Sequence, residues 1–247
     1  MRGAALVTGA GKRIGLAIAL DLARGGFDIA VHCGRSRDAA EETAAAITAL
    51  GRRAAVVQAD LQAEAEVRTL IDRAVTGVGR LSLLVNNASV FEEDRIQSLS
   101  RELWDRQVQT NLYAPLVLAQ AFAAQAPDGS CIVNLLDQRV WKPTPQFFSY
   151  SVSKAGLWFA TRTLAQALAP AIRVNAVGPG PTLPSIHQSA EDFAAEARNI
   201  PLQRRATPDE IAAAVLWLAN APSVTGQMIA VDGGQHLAWR TPDVLEP

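Results

Sequence analysis

The sequence predicts a doubly wound α/β fold, and three observations predict it. Seven short apolar runs recur along the chain: Ala4–Val7, Asp28–His32, Ala54–Gln58, Leu81–Val85, Cys131–Leu135, Ile172–Val177 and Met228–Val231. Most are nearly continuous in Val, Ile, Leu and Ala, as strands buried on both faces of a parallel sheet must be. Between them lie stretches with helical spacing, so strand and helix alternate and right-handed crossovers follow.

The elements read in order as follows. The first run feeds a glycine-rich turn, and after it Ile14, Ile18 and Leu22 with Ala17, Leu20 and Ala23 mark one helix face. The second and third runs stop at polar clusters, and Val67, Leu70, Ile71 and Ala74 line the next readable helix face. After the sixth run, residues 179–207 form a long segment opening in a Pro/Gly cluster. Such a segment at the carboxyl end of a strand is where substrate loops sit. The polar, proline-containing tail Arg240–Pro247 is expected to fray, and residues 1–239 show no composition break that would mark a second domain.

Composition narrows the function. The 247 residues carry 23 Lys+Arg against 24 Asp+Glu, and 49% are hydrophobic. Enough apolar side chain is present for a large core, which excludes a disordered chain. The near-zero net charge gives no electrostatic case for nucleic acid or an anionic membrane. The apolar stretch Ala4–Val7 is too short for a signal-peptide core, and no run approaches a membrane span of about 20 residues. Two distant cysteines, Cys33 and Cys131, make neither a disulfide framework nor a metal knuckle. A soluble, cytoplasmic protein with two buried thiols is the expectation. His187 and His236 lack partners at metal spacing, so no metal is expected, and Glu41-Glu42 and Glu92-Glu93-Asp94 read as solvated surface.

Three clusters carry chemistry. Thr8-Gly9-Ala10-Gly11-Lys12-Arg13-Ile14-Gly15 follows a strand and opens a helix, where glycines let a pyrophosphate approach the backbone N–H groups. The second run ends in His32-Cys33-Gly34-Arg35-Ser36-Arg37, with no carboxylate for a ribose 2′-hydroxyl and with guanidinium groups suited to a 2′-phosphate. NADPH is therefore the expected cofactor. Tyr150 and Lys154 stand four apart, on one helix face, where an ammonium would lower the phenol's pKa and make it a usable acid. Trp141, Phe147 and Phe148 either line a pocket mouth or pack between subunits.

In family order, Thr8–Gly15, Asp60-Leu61, Asn86-Asn87-Ala88, Asn111, Tyr150/Lys154, Pro179-Gly180 and Val231-Asp232-Gly233-Gly234 resemble the short-chain dehydrogenase/reductases over nearly the whole chain. The resemblance implies a Rossmann fold with a seven-stranded parallel sheet and, by family habit, a homotetramer. It implies Tyr150 as proton donor, Lys154 as the residue that orients the ribose and tunes Tyr150, and Asn111 as holder of a relay water. Asp60 would contact the adenine, and Asn87, Ala88 and Ser89 would pass near the ribose and nicotinamide. Gly9, Lys12, Arg13, Ile14, His32, Arg35, Ser36, Leu61, Pro179, Gly180 and Thr182 would complete the cofactor site.

Two departures from the general pattern carry information. Arg13 replaces the second glycine of the turn. Asp137 stands thirteen residues before the tyrosine, where most members have a serine that donates to a developing oxyanion. A carboxylate there would repel an oxyanion, but it can bind ring N–H and amino donors beside a C=N bond. Read as a cap, Asp137 would only close a turn and leave the work to Ser149 or another hydroxyl. With Ser89, Phe91 and the His32–Ser36 segment, the two departures resemble the pteridine reductases and the related dihydromonapterin and dihydrofolate reductases. That likeness implies that Phe91 stacks the pterin on the nicotinamide. It places Arg13 between cofactor phosphate and the pterin's polar edge, and gives Ser89 hydrogen bonds to both. A pterin C=N reductase is the first expectation. A reductase of a 3-oxoacyl thioester or sugar ketone is the alternative. A silent NADP(H)-binding regulator is the third, and the intact Tyr150, Lys154 and Asn111 set argues against it.

Overall fold

The computed structural model of the protein describes residues 3–183 and 198–239. Seven strands form one all-parallel sheet: β1 (Ala4–Val7), β2 (Asp28–Cys33), β3 (Ala54–Gln58), β4 (Leu81–Asn86), β5 (Ser130–Leu135), β6 (Ile172–Pro179) and β7 (Met228–Val231). Their spatial order is β3-β2-β1-β4-β5-β6-β7, which confirms the doubly wound α/β class. The order reverses between β1 and β4, so a crevice opens at the carboxyl ends of those two strands.

The strands alternate between two cores. On one face Ala5, Val7, Ile29, Val31, Leu83, Val85 and Val133 pack against α1 (Arg13–Arg24), α2 (Arg37–Ala49) and α7 (Pro208–Ala219). On the other, Ala4, Leu6, Ala30, Leu84, Ile132 and Val174 pack against α3 (Glu64–Val78), α5 (Ala114–Gln125) and the last turns of α6 (Phe148–Ala167). Each run is apolar throughout because successive side chains enter opposite cores. On α1 the buried stripe is Gly15, Ile18, Ala19, Leu22 and Ala23, with Ile14, Ala17 and Leu20 at its margin.

Four strands extend beyond the apolar runs, three of them at the carboxyl end. Asn86 continues β4, and its Nδ2 donates to Asn134 Oδ1 of β5 at 2.8 Å. At β4 a polar side chain takes over where the sheet meets the crevice, so hydropathy alone ends that strand early. Thr207 and Glu210 form a reciprocal capping box that starts α7 with Pro208 in its first turn. Residues 184–197 of the long segment, which include His187, and the tail Arg240–Pro247 lie outside the described residues. No described helix is long and apolar enough to cross a membrane. Both cysteines are buried and free.

Candidate active site

The crevice holds a cavity of about 620 Å³. The glycine turn contributes Arg13 and Ile14, the exit of β4 contributes Asn87, Ser89 and Phe91, and β5 leads into Asp137. Tyr150 and Lys154 come from α6, and Pro179, Gly180 and Thr182 from the end of β6.

The turn is shaped by close approach. Gly9 has φ +65°, and a Cβ on Gly15 would lie 2.1 Å from the Gly9 carbonyl oxygen, so the helix seats directly on the turn. Thr8 Oγ1 accepts from the Asn87 and Ala88 N–H groups, and Asn87 Nδ2 donates to the Thr8 carbonyl at 2.8 Å, which joins β1 to β4 at the reversal. Arg13 holds φ 56°, a left-handed conformation costly for a side chain with a Cβ, and its guanidinium donates to the Leu183 carbonyl at 3.3 Å. The residue that replaces the glycine thereby spans from the turn to the exit of β6.

His32 reaches the site only through the backbone. Its ring is 1% exposed, lies beneath the turn, accepts from Gly9 N–H on Nδ1 at 3.0 Å and donates from Nε2 to the Ala59 carbonyl at 3.0 Å. An amide cannot accept and a carbonyl cannot donate, so the network requires the neutral Nε2–H tautomer. Burial depresses its pKa from 6.5 to about 4. A lowered histidine pKa stabilises the fold above the unfolded value and loses that contribution as pH falls from about 6.5 to about 4. The loss by pH 4 is on the order of 3 kcal/mol. Urea unfolding at pH 7 and pH 4.5 should show it, and His32→Gln should flatten the pH slope. An unchanged slope in the variant would refute the assignment.

Lys12 in the glycine turn, Arg35 after β2 and Asp60 after β3 are exposed; Arg37 pairs with Glu41 at 2.9 Å, whereas Lys12 and Arg35 form no ion pair among the described residues. The Leu61 side chain is in the core, so only its backbone is available to a ligand.

Asp137 uses its two oxygens differently. Oδ1 accepts from Arg139 N–H at 2.8 Å and caps a short 3-10 turn, while Oδ2 accepts from the Tyr150 hydroxyl at 2.9 Å. Cap and site group are thus the same carboxylate. Ser149 is fully buried and its hydroxyl donates to Asp94, so it does not stand in for the missing serine.

The pKa expected for Tyr150 is corrected. Burial, followed by the Asp137 charge and hydrogen bond, raises it well above 10. Lys154 Nζ donates to the Leu135 carbonyl at 2.8 Å and lies 5.7 Å from the phenol ring centre, while the Tyr150 hydroxyl itself is bonded to Asp137. Burial lowers the Lys154 pKa to about 8 and raises that of Asp137. The phenol is held protonated, the form in which it can donate.

Asn111 lies in a π turn, Gln109–Tyr113, between α4 (Arg101–Val108) and α5. Its Oδ1 accepts from Val90 N–H at 2.8 Å and from Ser89 Oγ at 3.1 Å, and its Nδ2 donates to the Val90 carbonyl and to Ser153 Oγ. Its amide is thus committed to the loop after β4 and to Ser153 of α6. Phe91 is 40% exposed; its ring stacks on Phe147 at 4.2 Å and meets Tyr150 edge-on at 4.7 Å. Phe147, at φ 54° just before α6, is a site residue that the sequence left undecided between pocket and interface. Its place three residues before Tyr150, one helical turn away, was the available signal. The sequence also missed Asp94: it is 3% exposed, buried against α6, and not solvated surface.

Comparison with known proteins agrees with this geometry. A family model described as enoyl-(acyl carrier protein) reductase matches residues 9–236. A crystal structure of FolM alternative dihydrofolate reductase 1 from Brucella canis, complexed with NADP, is 51% identical with a TM-score of 0.94, covering 98% of this chain and 96% of that one. The angucycline C-6 ketoreductase LanV with bound NADP is 33% identical with a TM-score of 0.89, covering 95% and 96%. A 3-oxoacyl-(acyl-carrier-protein) reductase of Staphylococcus epidermidis is 33% identical over 96% of this chain and 100% of its own length. With its reversal-point crevice, glycine turn and paired Tyr150 and Lys154, the chain belongs to the short-chain dehydrogenase/reductase family.

Proposed function

We propose that the protein is an NADPH-dependent reductase acting on a C=N bond of a pterin, dihydropterin or dihydrofolate. The observation that carries the reading is the Asp137 carboxylate on the Tyr150 hydroxyl at 2.9 Å, with Phe91 edge-on to the same phenol.

The residues present fit the cofactor. The glycine turn lines the cavity through Arg13 and Ile14, and the exposed Lys12 and Arg35 offer cations to a 2′-phosphate where β2 ends without a carboxylate. Bound there, NADPH supplies the hydride. Lys154 holds the ribose side of the cavity, and the face of Phe91 turned away from Phe147 receives a flat ring. The Tyr150 hydroxyl, which donates to the Asp137 carboxylate, gives its proton to the ring nitrogen as charge develops there, and a proton from solvent restores the phenol afterwards. A carboxylate serves this nitrogen because it accepts from the ring's N–H and amino donors. The 51% identity to a protein named as a dihydrofolate reductase supports the same substrate class.

The second reading, a carbonyl reductase, is favoured by the ketoreductase and 3-oxoacyl reductase names of the relatives at 33% identity. Steady-state NADPH oxidation on dihydrobiopterin, dihydromonapterin and dihydrofolate, beside acetoacetyl-CoA and a small diketone, separates the two, with NADH as cofactor control. The expected result is pterin or folate turnover at least about 100-fold above carbonyl turnover in kcat/KM, well within what a site built to hydrogen-bond its substrate can discriminate. Carbonyl turnover alone would overturn the substrate reading. NADPH binding without turnover on any of them would point to a regulator.

A further inference from the structure

We infer that Asp94 is a positioning residue that sets the register between the ring-stacking loop and the catalytic helix. The inference rests on the reading of Phe91 as the substrate's stacking partner. Helix α6 begins without its own cap: no acid lies in its first turn, and Phe147 before it makes no side-chain capping bond. The open N–H groups are satisfied from a distant point in the sequence. The Asp94 carbonyl accepts from Phe148 N–H at 3.2 Å, Oδ1 accepts from Ser149 N–H at 3.0 Å, and Oδ2 takes a short hydrogen bond from Ser149 Oγ. A carboxylate there also meets the positive end of the helix dipole.

The placement matters because of what stands on either side. Ser149 directly precedes Tyr150, and Asp94 follows Phe91 by three residues. The loop's hydrogen bonds from Val90 and Glu92 lead elsewhere, to Asn111 and to Gln107 and Arg106 of α4, and besides Asp94 the loop meets the start of α6 through the ring contacts of Phe91 with Phe147 and Tyr150. Asp94 joins the loop directly to the start of α6, so it governs the 4.7 Å, edge-on placement of Phe91 against Tyr150. It touches no reacting atom and acts through those two rings. Displacing a reacting geometry by about 1 Å costs on the order of 100-fold, so loss of this clamp should appear in kcat/KM.

The test is a mutant cycle of wild type, Asp94→Ala, Phe91→Ala and the double variant, run on the wild-type enzyme's best substrate, with NADPH affinity measured by fluorescence. Asp94→Ala is expected to lower kcat/KM about 100-fold and to change the NADPH Kd by less than about threefold. The double variant should be no more than about threefold worse than the poorer single one, because both changes act through one element. Asp94→Asn keeps an acceptor for Ser149 N–H and a partner for its hydroxyl, and should recover activity to within about tenfold of wild type. Should Asp94→Ala fail to fold, Ser149→Ala, which removes one arm of the clamp, takes its place with an expected loss of about tenfold. Additive losses in the cycle, or cofactor affinity falling in step with activity, would overturn the proposal. The wild-type substrate panel alone decides the pterin reading, so the two can fail separately.

Discussion

Tyr150→Phe is expected to lower kcat by about 10³-fold, within the range that a positioned acid contributes, and to leave the NADPH Kd within about threefold of wild type. The phenol ring stays, so its packing against Phe91 is kept. The lost atom is the donor to Asp137, and the proton it carries is held at every working pH because burial and the carboxylate keep the Tyr150 pKa well above 10. A second sign follows from the same bond. Tyr150 lowers the Asp137 pKa by hydrogen bonding, so its removal should raise that pKa further, and any residual activity should show its acid limb at higher pH than wild type. Single-turnover kinetics over pH 5–9 with a fluorescence titration of NADPH would measure both effects. Turnover near the wild-type level would remove Tyr150 from the proton path.

The sheet was legible because its strands are apolar on both faces, and that pattern depends only on burial. Both ends of the argument for the cofactor were legible too: a glycine turn between strand and helix, and a β2 end with Arg35 in place of an acid. What the sequence hid was partnership over distance. Asp94 sits in a run of three acids that looks solvated, and only the fold brings it against Ser149, 55 residues away. His32 sits in a segment that resembles a cofactor contact, yet its ring faces Gly9 and Ala59 from below. Four-residue spacing put Tyr150 and Lys154 on one face, but it could not show that Asp137 reaches the hydroxyl first. Phe147 was ambiguous because its role depends on a left-handed φ, which a phenylalanine gives no reason to expect.

Asp137→Ser should move the enzyme between two chemistries, lowering pterin kcat/KM by about 100-fold and raising carbonyl kcat/KM by about tenfold. Hydride addition to a ketone leaves an anionic oxygen, and a carboxylate beside the Tyr150 hydroxyl opposes it where a serine hydroxyl would donate to it. Hydride addition to a C=N bond leaves a nitrogen that needs a proton, and there the carboxylate helps by holding the Tyr150 hydroxyl that gives it and by accepting from the ring's own N–H groups. The turn does not have to collapse in the variant, because a serine Oγ can still accept from Arg139 N–H as Oδ1 does at 2.8 Å. Asp137→Asn separates charge from shape: it keeps the cap and the volume and removes only the carboxylate. Pterin activity should fall in both variants, and carbonyl turnover should rise in both, because each removes the charge and offers a donor in its place. If both variants retain pterin turnover, Asp137 is only the cap, and the proton for nitrogen comes from Tyr150 alone.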